Sequence, residues 1–356
     1  MSPRRARKFG LIGTITKDFI TSDPGVARGR GRKEKGIVSG AVPDTAHGKL
    51  PKSFSGHVPG SLLGTGKWSA ESVRLGGILY QAAALCGFNE EVLLYSNVGQ
   101  ELLDEVIAVI GGWTTLRTSG IRPVAGPGNR VHLHYPGKGE RREILESTVC
   151  GLDSEPILHD LPRLDFLIAA INSGFDIELK DWRRILGEAR NPTWLDIHSL
   201  VLTKVLNAER QYRALPDWRE WVEGVAYLQA NRKEAACMLG RPDEEEDWPP
   251  ADSEEMGRFS EEAFAVGVRA MFLTLGKEGV LVMTPGARAI IPSPRASHLI
   301  DTTGCGDVFC AAAAARLARG EDPFVAAEHG VDLASRAASV SGIQGTYELA
   351  RLFAQH

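Results

Sequence analysis

The sequence predicts an α/β fold in which a mostly parallel central sheet is covered by helices on both faces. Short apolar runs recur at 8–15, 92–95, 166–171, 193–197, 225–229 and 270–275, each the length of a buried strand. Segments of helical periodicity lie between most of them, and that alternation is what parallel strands require, because each crossover must return over the sheet. The length of 356 residues suits one large α/β unit carrying a modest accessory piece.

Taken in order, Lys8-Phe-Gly-Leu-Ile-Gly-Thr-Ile15 is an apolar run ending in small residues and opens the sheet. Residues 21–67 follow, rich in Gly, Pro, Lys and Arg, and read as a partly mobile loop. Helices are expected at 74–86 and 102–110, on either side of the strand at 92–95. The stretch 114–146 breaks the rhythm. Its alternation Val131-His-Leu-His-Tyr135, followed by Gly137-Lys-Gly139, signals a strand and turn without an intervening helix, hence a small sheet projecting from the main one. His132 and His134 share one face there, but lack the further ligands a metal needs. Helices are then expected at 182–189, 232–239, 306–319 and 323–338. The last has Asp322 as N-cap and Pro323 at its first position. The acidic run at 243–247 is a solvated loop.

Hydrophobic residues make up 43% and charged residues 24%, ordinary globular values that argue against disorder. With 41 basic and 45 acidic side chains the net charge is −4, too weak a field to gather nucleic acid. No apolar stretch approaches the roughly 18 residues of a membrane helix. The basic start lacks the apolar core of a signal peptide, so a cytoplasmic protein is expected. Five cysteines without a C-x-x-C pair suggest neither a disulfide framework nor a zinc site. Gly60-Ser-Leu-Leu-Gly-Thr-Gly-Lys-Trp68 fails as a P-loop, because its spacing is one residue too long and Trp follows the Lys.

The most informative segment is Leu299-Ile-Asp-Thr-Thr-Gly-Cys-Gly-Asp-Val-Phe-Cys310 and the alanine run behind it. Gly304 and Gly306 flank Cys305 and open a helix, so backbone N–H groups point outward together as an anion site. Asp307 falls in the first turn, where the helix dipole favours its ionised form at pH 7 and leaves it available as a base. A carboxylate beside an anion hole suits phosphoryl transfer. A small buried filler is the expectation for the Cys305 thiol, although a helix N-terminus can lower a thiol pKa.

Asp301-Thr-Thr-Gly-Cys-Gly-Asp307 resembles the D-T-x-G-A-G-D signature of the ribokinase-like, PfkB-type carbohydrate kinases, with Cys305 in place of Ala. Other elements resemble the family in order: Gly13 to Asp18, Gly76-Gly77 with Gln81, Asn97-Val-Gly-Gln-Glu101, Asn231-Arg-Lys-Glu234, and Thr274-Leu-Gly-Lys-Glu-Gly279. The resemblance implies one kinase domain over 1–356, a three-layer α/β/α sandwich with a mostly parallel sheet. It also implies a small β-sheet lid built from parts of 21–65 and 113–146, through which a homodimer is plausible.

By the same resemblance, ATP phosphorylates a hydroxyl of a sugar or polyol, with Asp307 as general base and Gly304, Cys305 and Gly306 as anion hole. Asn231, Glu234, Thr274, Gly276 and Gly279 bind the nucleotide, and Glu234 holds magnesium through water. Asp18, Gly76, Gly77 and Gln81 orient the acceptor. Asp301 and Thr303 match positions that help bind a potassium ion in many relatives. Gln81 departs from the usual Asn, and Ile78-Leu79 from the Lys-Gly of ribose kinases, which favours a neutral hydroxylated acceptor other than ribose. A nucleoside acceptor, or a binding protein that kept the fold, are the alternatives.

Overall fold

Period-two burial along the first strand, β1 (Lys8–Ile12), divides the molecule into layers: Phe9 and Leu11 enter one core, and Ile12 enters the other. The computed structural model describes residues 5–23, 72–136, 141–244, 250–294 and 299–355. Most of the segment 21–65, including its basic Gly-rich stretch, and the P-loop look-alike at 60–68 therefore lie outside the described residues.

After β1 come β2 (Ile15–Ser22), β3 (Ser72–Gly77), α1 (Leu79–Gly87), β4 (Glu91–Gly99), α2 (Leu103–Ile110), β5 (Leu116–Arg117), β6 (Ile121–Val124), β7 (Asn129–Tyr135) and β8 (Arg142–Ser147). The chain continues through α3 (Ser154–Asp160), β9 (Phe166–Ala170), α4 (Leu179–Glu188), β10 (Thr193–Asp196), α5 (Trp218–Val222), β11 (Tyr227–Asn231), α6 (Arg232–Met238), α7 (Glu254–Ala265) and β12 (Ala270–Thr274). It closes with β13 (Val280–Thr284), β14 (Ala287–Ile291), α8 (Cys305–Leu317), α9 (Pro323–Ala337) and α10 (Gly342–Phe353).

The large sheet runs β14-β13-β12-β11-β10-β9-β1-β4-β5, with β6 also paired to β4. It is parallel from β12 to β5, and the β13–β14 hairpin adds an antiparallel edge. One face packs against α1, α2, α8, α9 and α10, the other against α3 to α7. This is the ribokinase-like α/β arrangement, a large mostly parallel sheet flanked by helices with a small separate sheet beside it. The small sheet has the order β3-β2-β7-β8 and its own apolar patch of Ile20, Val131, Leu133 and Leu145.

Two sequence expectations change. Residues 74–77 do not begin a helix: they belong to β3, paired antiparallel with β2, and the chain turns into α1 at Gly77, whose φ is +62°. The stretch 113–146 divides between the sheets, with β5 and β6 on the large one and β7 and β8 on the small one. Asp322 caps α9 as expected, accepting the Phe324 N–H at 2.8 Å.

The Ala-rich helix α8 is buried on nearly every side, because small side chains let α1 and α9 approach it while the sheet lies beneath. Trp194, Phe272 and Phe309 meet under it, Trp194 stacked on Phe272 at 4.7 Å and Phe309 edge-on to both. Each such buried aromatic contributes about 1.5–3 kcal/mol. That packing sets the height at which the start of α8 meets the sheet edge. Among the described residues no helix is long and apolar enough to cross a membrane.

Candidate active site

A cavity of about 1000 Å³ opens where β10, β11 and β12 end, at Asp196, Asn231 and Thr274. Ligands of open parallel sheets collect at these carboxyl edges. The start of α8 forms one wall, with Gly304, Gly306 and Asp307. Tyr135 of β7 and Arg141, just before β8, reach in from the small sheet, and Arg232, Lys233 and Lys277 add positive charge.

The loop into α8 takes the shape its glycines allow. Gly304 is the N-cap with φ +81°, and a Cβ there would press on the Tyr80 ring at 2.5 Å. Gly306 lies in the first turn, where N–H groups lack an intrahelical acceptor, and its carbonyl accepts the Gln229 Nε2–H at 3.2 Å. Cys305 instead donates its N–H to the Thr302 carbonyl at 3.3 Å, so it closes the turn. Burial pushes the Cys305 thiol up to about 12, against the lowering that a helix N-terminus alone would give.

Asp307 departs from the expectation of a readily ionised first-turn acid. Burial pushes its carboxyl up to about 7, the charges of His198 and Arg141 pull it back, and Asp18 adds repulsion. The helix dipole is outweighed because the fold removes much of the water around the side chain, although part of it stays exposed. Asp18, on β2, is also raised by burial, to about 6, against a Thr16 hydrogen bond and the charges of Arg141 and Arg74. The structure thus brings Asp18 and Asp307 within each other's field from opposite ends of the chain.

Gly76 leaves room for that arrangement, since a Cβ would collide with the Asp18 carboxylate and meet Thr16 Oγ1 at 3.0 Å. None of Asp18, Gly76, Gly77 and Gln81 is among the residues lining the cavity: Asp18 acts on Asp307 through its charge, and Gln81 is fully buried in α1 beside Cys310 of α8.

Asn231 and Glu234 form a capping box at the start of α6. Asn231 Oδ1 accepts the Glu234 N–H at 2.8 Å, and Glu234 Oε2 accepts the Asn231 N–H at 2.7 Å. Glu234 Oε1 takes the Asn231 amide at 2.8 Å and lies 3.1 Å from His198 Nδ1. Burial opposes charge on His198, but the hydrogen bond and charge of Glu234 outweigh it and carry the imidazole up to about 9. Burial and then Glu234 push Asp196 well upward.

Among the described residues no three His, Cys, Asp or Glu side chains cluster closely enough to chelate a metal. A hydrated magnesium ion held through phosphates, with one or two carboxylates behind its waters, still fits this wall. Asp196, Glu234 and Asp307 converge on the cavity, and their mutual repulsion is what a divalent cation relieves. A potassium ion does not fit the Asp301 carboxylate, whose Oδ2 is ion-paired with Arg74 and whose Oδ1 accepts the Thr303 N–H at 3.0 Å. Thr303 Oγ1 is itself 2.9 Å from the Tyr135 hydroxyl.

On the opposite side, Thr274 and Gly276 line the cavity, and Gly276 has φ +59° with open space beside it. Gly279 does not line it; a Cβ there would strike the Ile291 carbonyl, so this glycine serves the close approach of β14. His132 pairs with Glu146 at 2.7 Å, and His134 lies 2.9 Å from Thr21 Oγ1, both within the small sheet.

With this geometry, residues 198–349 match the family described as pfkB family carbohydrate kinase. That segment, a little over two fifths of the chain, is similar to the PfkB family. It holds Asn231, Glu234, Thr274 to Gly279 and the whole 301–307 loop. A ribokinase of Bacillus subtilis (strain 168) is 41% identical over 136 residues, 37% of this chain and 39% of that relative. The match therefore spans well under half of the relative's length. Among solved structures, Thermotoga maritima ribokinase superposes with a TM-score of 0.65 at 17% identity, covering 98% of this chain and 100% of that one. An Arabidopsis thaliana ribokinase complexed with ribose and ATP gives 0.65 at 16%, covering 98% and 99%. A Burkholderia thailandensis nucleoside kinase in complex with inosine gives 0.66 at 14%, covering 98% and 97%.

Sequence reasoning missed Arg74, Arg141, His198 and Gln229. His198 carried a usable signal, since it follows a buried strand's carboxyl end by two residues, where sheet ligands gather. Arg74 carried none, because its partner Asp301 lies 227 positions away; Arg141 pairs locally with Glu143, and only the fold brings its charge beside Asp18 and Asp307.

Proposed function

We propose that this chain transfers the γ-phosphoryl group of ATP to a hydroxyl of a sugar or sugar-like small molecule. The observation that carries the reading is Asp307, a carboxylate with its proton affinity raised to about 7, placed in the first turn of α8 within the cavity. A base works best when its pKa lies near the working pH. Asp307 takes the acceptor hydroxyl's proton as that oxygen forms its bond to the γ-phosphorus. The bond from phosphorus to the bridging oxygen breaks, and ADP leaves with the electron pair.

The N–H groups of the N-cap Gly304 and of Gly306 in the first turn face the charge on the transferring group. Arg232, Lys233 and Lys277 supply the positive field for a polyphosphate on the nucleotide side, while Arg141 brings its charge beside Asp307 and Asp18. Glu234, held rigid by its cap and by His198, together with Asn231 would hold magnesium through water. The ion supplies charge neutralisation on the phosphates. Asp18 accepts hydrogen bonds from acceptor hydroxyls, with Gly76 leaving its carboxylate clear and Gly77 making the turn into α1. In this reading the small sheet is the lid, and it excludes water that would otherwise compete as acceptor.

Asp307→Asn tests the proposal: the variant should fold and bind ATP, yet lose about 10²–10⁴-fold in turnover. Turnover equal to the parent's would refute it. Ribose, hexoses, cyclitols and nucleosides form the acceptor panel, with inosine and ribose first because the neighbours of like fold carry them.

A further inference from the structure

We propose that the Arg74 guanidinium fills the role of a monovalent cation beside the anion loop, so that this chain works without potassium. The inference rests on the kinase reading above. The ion pair between Arg74 and Asp301 is largely shut from water, with 17% and 13% of the two side chains exposed. Both oxygens of Asp301 are engaged, one by Arg74 and one by the Thr303 N–H at 3.0 Å. A carboxylate already neutralised is a poor ligand for a weakly held alkali ion, and the guanidinium charge repels such an ion. An arginine is always charged and cannot dissociate.

The position of Arg74 is fixed by the small sheet. It stands opposite Asp18 in the β2–β3 register, two residues before Gly76, so its backbone is held at the acceptor side of the site. Tyr135 of β7 makes a second tie to the same loop through Thr303, at 2.9 Å. The loop that presents the first-turn N–H groups of α8 is thereby braced by a resident cation and a hydroxyl of the small sheet. Arg74 is a positioning residue here. It acts on the anion loop through Asp301.

The test compares the full chain with Arg74→Gln in potassium chloride and in tetramethylammonium chloride at equal ionic strength. It reads initial rates with the best acceptor and, separately, thermal unfolding midpoints. The parent's rates should agree within about twofold between salts, and its midpoint should not respond to potassium. The variant should slow about tenfold or more in tetramethylammonium and recover with potassium or with guanidinium ion, its midpoint rising with the same ions. A parent activated about tenfold or more by potassium would overturn the proposal. So would a variant indifferent to cations in both readouts. If Arg74→Gln does not fold in any salt, the parent's salt response alone decides. Failure of the kinase reading is separate: the parent would then turn over no acceptor in either salt, while a potassium-dependent midpoint in the variant alone would still support the cation role.

Discussion

Replacing Asp307 by Asn should weaken catalysis and strengthen the fold, with a pH dependence that identifies the cause. The ordinary aspartate value of 3.8 rises to about 7 in the folded protein because burial penalises the charge. At about 1.4 kcal/mol per tenfold change in proton affinity, that rise corresponds to at most about 4 kcal/mol. Solvent reaches part of the side chain, which screens the penalty, so about 1–3 kcal/mol is the working figure. The sign follows from proton counting. Between pH 4 and 7 the folded state holds the proton more tightly than the unfolded chain, so stability falls as pH rises through this window and is level above it. The amide introduced by Asp307→Asn cannot ionise. The variant should therefore match the parent near pH 4 and exceed it by about 1–3 kcal/mol at pH 8. Urea unfolding of both proteins at pH 4.5, 6 and 8, as rough points across the window, measures the difference, and titrations elsewhere cancel in the comparison. A variant no more stable than the parent at pH 8, or a gain that does not change with pH, would refute the argument that burial has raised this carboxyl.

The parent's turnover should rise with pH through a midpoint near 7, because the base must lose its proton; a profile flat from pH 6 to 8 would count against Asp307 in that role. Glu234→Gln should raise the magnesium concentration needed for half-maximal rate more than it raises the acceptor KM, and equal effects on both would argue against its placement. Gly76→Ala should raise the acceptor KM and cost about 1–3 kcal/mol, since the new methyl meets the Asp18 carboxylate; a neutral outcome in acceptor titration and in denaturation would remove Asp18 from the acceptor side. With its thiol pushed up to about 12, Cys305 should resist alkylation at neutral pH while the folded protein's exposed Cys150 reacts, as peptide mapping after iodoacetamide would read out.

What the sequence determined by itself is the set of features made by near neighbours. The parallel strands appear as apolar runs, because a strand buried on both faces cannot carry polar side chains. The start of α8 is legible in Gly304 and Gly306, α9 in Asp322 and Pro323, and the Asn231–Glu234 pair in its spacing of three, which is also the spacing of a capping box. Residues 74–77 read as helix in isolation, and only their pairing with β2 makes them a strand. The tertiary structure alone decided the electrostatics. Arg74 meets Asp301 across 227 positions, and His198 meets Glu234 across 36. The carboxyl of Asp307, which its place in a helix N-terminus would have left readily ionised, is instead raised to about 7. A carboxyl's proton affinity depends on how much water the whole fold removes and which charges it brings near, and neither is a property of adjacent residues.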